Sequence, residues 1–346
     1  MMTDRAVCVF PNDPPASDDG RVLDRLRRLR IDRFLLLILA TVGLAALLPA
    51  SGAVADGFSA ATKVAIALLF FLYGARLSTR EAVEGLRHWR LHGTVVASTF
   101  VLFPLLGLAI QLVPASILPT DLKLGVLFLC CLPSTVQSSI AFTSVARGNV
   151  PAAICAASLS NLLGIVVTPL LTGLLLATPG GISGKALPVV ALQLLAPFVL
   201  GQLLRPWIGA WVARNRRHLQ VVDRGSILLV VYVAFSEGMA EGIWGRLTLG
   251  ALAALVVTCL VLLAVVLALT WFAPARYFDR ADRITVLFCG SKKSLATGLP
   301  MAGVLFAGGP VGLLVLPLML FHQIQLMACA VIAGRLARER RVAVPA

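Results

Sequence analysis

Two adjacent lysines, Lys292 and Lys293, interrupt the apolar run Val286-Leu287-Phe288-Cys289-Gly290-Ser291-Lys292-Lys293-Ser294-Leu295-Ala296-Thr297-Gly298-Leu299-Pro300. Apolar sequence on both sides is long enough to span a bilayer, which places the pair about a dozen residues into a membrane helix. A central lysine costs roughly 2.5 to 3.5 kcal/mol to insert, so a buried pair needs partners, a wet cavity or an anion. The chemistry on offer is electrostatic recognition of an anionic solute. Snorkelling along the stem explains a single lysine near an interface; here two neighbours point in different directions among a Ser and small residues.

A second polar interruption reads Leu132-Pro133-Ser134-Thr135-Val136-Gln137-Ser138-Ser139. Pro133 removes a backbone donor, and the hydroxyls and amide that follow can bond freed backbone groups or line a cavity. If both helices unwind at these points, the second half of each begins at midplane with a hydroxyl N-cap. The expected caps are Ser138 or Ser139 in one and Ser294 in the other, with two helix N-termini and two ammonium groups facing one site. Ser158, Ser160, Asn161 and Thr168 lie along the next span, Ser158 and Asn161 three apart on one face, suited to helix packing or to ligand contact. His322, Gln323 and Gln325 form a further cluster, in which the histidine either relays protons or is bonded to a neighbour. Tyr73 and Arg76 read as an interface anchor and a cytoplasmic charge. The candidate substrate- and ion-binding set is Pro133, Ser134, Thr135, Gln137, Ser138, Ser139, Ser158, Asn161, Ser291, Lys292, Lys293, Ser294, His322 and Gln323.

These positions need membrane helices to hold them. Of 346 residues, 59% are hydrophobic and 13% charged, against about a quarter charged in soluble domains. The composition is that of an all-α polytopic membrane protein. Six of the seven cysteines fall within apolar spans, leaving Cys8 in a polar segment; no metal-ligand spacing or disulfide framework results. No paired aspartates, Ser-His pair or metal constellation supports an enzyme, and the net charge of +14 reads as membrane orientation, with no nucleic-acid partner.

Hydropathy predicts ten spans, at 33–50, 57–77, 92–113, 122–147, 150–177, 186–205, 221–240, 247–273, 284–308 and 310–335. Residues 1–32 read as a cytoplasmic tail and a basic interfacial helix, and 336–346 as a second cytoplasmic tail. With the N-terminus inside, 24 of the 30 lysines and arginines fall in cytoplasmic segments and four outside, a bias that supports the count and puts both termini in the cytoplasm. Sliding the chain by 160 residues matches Val126-Leu127-Phe128 to Val286-Leu287-Phe288, Ser134 to Ser294 and Gly148 to Gly308. Five spans followed by five give an inverted repeat, 33–177 and 186–335, in which spans four and nine correspond. The same shift pairs Pro133 with Lys293 and makes Lys293 the preferred site lysine.

The broken span at Leu132-Pro133-Ser134-Thr135, the Ala146-Arg147-Gly148-Asn149-Val150 turn into a Ser-rich span five, and the ten-span plan resemble the bile acid:sodium symporter family (solute carrier 10-like). Gly290-Ser291-Lys292-Lys293-Ser294-Leu295, followed by Gly298-Leu299-Pro300-Met301, is similar to its cotransporter-7-like branch. The resemblance covers Arg33 to Arg335. It implies panel and core domains, spans one, two, six and seven against a core holding the crossing broken helices four and nine, and sodium-coupled uptake of an organic anion. The chain departs from the pattern where typical members carry a glutamate at the span-nine crossing and a Ser-Asn pair in span four: it has Ser291 to Lys293, and Ser138, Ser139 and Ile140. No carboxylate is available there to balance a sodium ion, and a nearby ammonium opposes one.

The expectation is a secondary active transporter of a small organic anion in a bacterial inner (plasma) membrane, working by alternating access around a midplane site. Na+ is the candidate coupling ion, with no other cofactor. The alternatives are a sodium-independent carrier, proton-coupled or exchanging, that uses a site lysine in place of sodium, and a non-transporting membrane sensor.

Overall fold

The computed structural model describes residues 33–76, 88–176, 187–240, 242, 247–307 and 309–342. The basic tail and interfacial helix expected at 1–32, and the segment 178–185 between the fifth and sixth expected spans, lie outside them. All regular secondary structure among the described residues is helical, and they contain no strand. In chain order the helices are α1 Arg33–Leu47, α2 Gly52–Arg76, α3 Trp89–Gln111, α4 Thr120–Cys131, α5 Gln137–Val145 and α6 Val150–Leu175. They continue with α7 Leu187–Arg214, α8 Arg216–Ala240, α9 Leu249–Phe272, α10 Arg280–Gly290, α11 Leu295–Leu305 and α12 Val311–Val342. Among the described residues, α2, α3, α6, α8, α9 and α12 are long and apolar enough to cross a membrane. The protein is a polytopic integral membrane protein, and large side chains such as Leu200, Leu203 and Leu260 stand exposed on its outer faces, where lipid and not water is the solvent.

Local sequence explains where these helices begin and break. Asn149, Thr248, Asp279 and Ser294 cap α6, α9, α10 and α11, each side chain accepting a backbone N–H three residues on. The turn before α6 is tight: Arg147 takes a positive φ of 60°, and the Gly148 N–H bonds back to the Thr143 carbonyl. Both expected mid-span breaks are present, Leu132 to Val136 between α4 and α5 and Ser291 to Ser294 between α10 and α11.

Three details differ from the sequence reading. The cap of α5 is Val136, without a side-chain bond, and not Ser138 or Ser139; those hydroxyls are already inside the first turn, drawn to Thr135 instead. α7 runs through Pro197 and Pro206 to Arg214, where a cytoplasmic loop was expected from 206 on, so that only Asn215 separates it from α8. α12 likewise continues past 335 to Val342; arginines there extend a helix as readily as they end a span.

α2 packs on α7 with their backbones in contact. A Cβ on Gly74 would meet the Phe198 carbonyl, and one on Gly201 the Phe71 carbonyl, so neither position tolerates a side chain. Arg76 is not a free cytoplasmic charge. It forms an ion pair with Asp223 of α8, and Tyr73, one turn earlier, points its hydroxyl at the Ala296 carbonyl of α11 at 3.5 Å.

Candidate functional site

The ends of interrupted helices leave carbonyls and N–H groups that must be satisfied away from water. Each break supplies the other. At the end of α10 the Cys289 carbonyl accepts from Ser134 Oγ at 2.6 Å and the Phe288 carbonyl from Ser139 Oγ at 3.0 Å. Ser291 Oγ turns back to the Leu287 carbonyl of its own helix. The Ser294 N–H crosses to the Pro133 carbonyl at 2.9 Å. Thr135 Oγ1 lies 2.7 Å from Ser138 Oγ and 3.0 Å from Ser139 Oγ.

α6 fastens this crossing from one side. The Ser134 N–H donates to Ser160 Oγ at 3.0 Å, Thr168 Oγ1 donates to the Cys131 carbonyl at 2.8 Å, and Asn161 Nδ2 donates to the Ser134 carbonyl at 2.7 Å. Asn161 Oδ1 also accepts from Thr297 Oγ1 at 3.1 Å, so one amide ties the first break to α11. Pro133 reaches α6 because Gly164 has no side chain; a Cβ there would lie 2.6 Å from the proline ring. Ser158, half-buried on the same helix, is outside this network, and Gln137 is exposed at the first turn of α5.

The two lysines are both fully buried and have opposite surroundings. Lys293 Nζ donates to the carbonyls of Thr99, Cys130 and Leu132 at 2.8, 2.8 and 2.7 Å, and sits 4.1 Å from the centre of the Phe103 ring. Cys130 and Leu132 belong to the C-terminal end of α4, where a cation also complements the helix dipole. Thr99 lies in a π-helical stretch of α3, Ser98–Leu102, in which the Phe103 N–H goes to the Ser98 carbonyl. In that register the Thr99 carbonyl would take the N–H of residue 104. Residue 104 is proline, so the carbonyl is free for the ammonium. The peptide group of Lys293 is bonded on both sides by Gln325: its N–H donates to Oε1 at 3.0 Å, and its carbonyl accepts from Nε2 at 2.9 Å. The same Nε2 lies 2.9 Å from His322 Nδ1, which places the histidine in the shell around the break. Gln323 is half-buried on α12 and outside these bonds.

Among the described residues, Lys292 Nζ has no hydrogen-bond acceptor. It lies 3.9 Å from the centre of the Phe142 ring and 5.7 Å from that of Phe288. Ring faces return about 2 kcal/mol to a desolvated cation, less than the several kcal/mol that burying an unpaired charge costs.

Contributors outside the candidate set include Thr99, Phe103, Phe142, Ser160, Gly164, Thr168, Phe288, Thr297 and Gln325. Pro104 five residues after Thr99 is the one sequence signal for the open carbonyl, and it has meaning only once the π register is known.

Residues 32–338 match the model of the SBF-like CPA transporter family. An uncharacterized protein of Pseudomonas aeruginosa is 57% identical over 312 residues, covering 89% of this chain and 94% of its own. The putative symporter YfeH of Escherichia coli is 52% identical over the same shares. Sodium/bile acid cotransporter 7 of Rattus norvegicus is 28% identical over 315 residues, 89% of this chain and 93% of its own.

Proposed function

Because the chain belongs to the SBF-like CPA transporter family, we propose that it is a secondary active transporter of a small organic anion, alike in plan to bile acid:sodium symporters. Its family is one of transporters and not of enzymes. The observation that carries the reading is the meeting of two broken helices, with Ser134, Ser139 and Ser294 bonding across it. A polar crossing inside a membrane protein is tolerated where it lines a transport path.

On this reading α4 with α5 and α10 with α11 count as single spans, giving ten in two inverted halves, 33–177 and 186–335, between cytoplasmic segments 1–32 and 336–346. α1, α2, α7 and α8 form a panel that rocks against the rest, in a bacterial inner membrane with both termini inside. The accessible edge of the crossing carries Gln137, Ser138 and Asn161, and Tyr73 bridges panel and core at Ala296.

A specific observation favours transport without sodium. Lys293 holds three carbonyl oxygens in the way a small bound cation replaces its hydration shell, and neither break contains a carboxylate. A covalently fixed charge assembles the crossing permanently and does not travel.

The test is counterflow in proteoliposomes with labelled organic anions, taurocholate first, after a thermal-shift screen has ranked them by stabilisation of the folded protein. Exchange that persists when sodium is replaced by choline supports the reading. Exchange that vanishes restores sodium coupling, and flux of no anion that stabilises the protein favours a sensor.

A further inference from the structure

The two lysines are neighbours in sequence and unequal in free donors. The three protons of the Lys293 ammonium are all spent on backbone carbonyls, so it has none to offer a solute without dismantling the end of α4. Lys292 has all three unspent. We propose that Lys292, and not Lys293, is the side chain that contacts the transported anion, and that Phe142 is the cover that hides it in this state. The proposal rests on the transporter reading and adds the contact residue and the class of ligand.

The cover is built to move. Phe142 is half-buried, with one face on the Lys292 ammonium. One turn earlier, Ser139 is fixed by its bond to the Phe288 carbonyl; Phe142 is placed against Phe288 by ring contact, with centroids 5.9 Å apart. Turning its side chain lifts the ring off the ammonium and breaks no hydrogen bond at the crossing. With Phe142 turned off the ammonium, the site has one cation beside the Phe288 ring and the displaced Phe142 ring, and among the described residues no acid touches it. That fits a monoanion with an apolar body, a carboxylate or sulfonate whose head meets the ammonium while its hydrocarbon lies on the rings.

The experiment uses the full chain in liposomes with Phe142→Cys, which removes the cover and puts a reporter beside the ammonium. Two thiol reagents are compared, the anionic 2-sulfonatoethyl methanethiosulfonate and its trimethylammonium counterpart. Modification of that cysteine is read by peptide mass spectrometry, and each rate is normalised to the same reagent with free cysteine. The expected result is at least a ten-fold preference for the sulfonate, lost when Lys292→Met is added. Should Phe142→Cys fold poorly, Lys292→Cys with the cover in place must still be modified by the sulfonate reagent. Equal rates, a preference that survives Lys292→Met, or no modification at either position overturns the proposal. Neither rate depends on flux, so a chain showing the preference but carrying nothing would keep the anion site and lose the transporter reading.

Discussion

Replacing Lys293 with methionine keeps the length of the stem and removes the ammonium, leaving the buried carbonyls of Thr99, Cys130 and Leu132 without that donor. Each orphaned buried group costs about 1 to 3 kcal/mol, together roughly 3 to 9. The charge leaves with the side chain, so several kcal/mol of desolvation are returned; set against the middle of that range, this leaves a net loss of about 3 kcal/mol. At about 2 to 4 °C per kcal/mol for a large chain, the purified protein in detergent should unfold roughly 5 to 15 °C earlier by tryptophan fluorescence. Lys292→Met makes the same change of shape and breaks no hydrogen bond, so its unfolding temperature should be unchanged or higher. Equal melting of Lys293→Met and wild type, or a larger loss in Lys292→Met, would refute the assignment of Lys293 as the group that secures α4.

Pro133→Ala restores an N–H at the first break and should let α4 and α5 rejoin, reducing counterflow at least ten-fold while expression holds; flux equal to wild type would show that the interruption is dispensable. Asn161→Ala removes the amide that joins Ser134 to Thr297, orphaning a buried carbonyl at about 1 to 3 kcal/mol. It should lower both thermal stability and anion affinity, and an effect on neither would take Asn161 out of the site. Gly201→Val forces a side chain into the Phe71 carbonyl of α2 and should prevent stable purification; normal yield and melting would contradict the close packing of α2 and α7. A cysteine at Gly181 should react with an impermeant reagent from outside intact cells and one at Asn215 should not, the reverse pattern removing the ten-span topology.

Much of the architecture was legible because in lipid the chain must bury its backbone polar groups in helices and place its arginines at their ends. The breaks were equally legible, since Pro133 and the Gly290 to Ser294 run are local faults in apolar sequence. Even the Ser294 cap could be read, because a hydroxyl three residues before Thr297 satisfies its N–H through local geometry. The roles of the lysines could not. The partners of Lys293 lie 161 to 194 residues away in sequence and are backbone carbonyls, which carry no residue identity. For Phe142, a phenylalanine in an apolar helix, only the packed structure reveals the ammonium beneath it. The missed cap at Val136 has a similar origin: Ser139 is diverted across the crossing to Phe288, and a contact 149 residues distant outweighs the local preference.

The reciprocal bonding of the two breaks also constrains the order in which the chain can be completed. The Cys130 and Leu132 carbonyls wait for a lysine made more than 160 residues later, and the hydroxyl of Ser134 finds its acceptor 155 residues on. Until α10 leaves the ribosome, the first interrupted helix stands in the bilayer with open backbone groups, a state that favours a continuous helix through Pro133 or retention beside the insertion machinery. Maturation is therefore a late event, coupled to synthesis of the last three helices. Two fragments divided between α6 and α7 carry complementary halves of the crossing, and both together contain the bonding groups that close it.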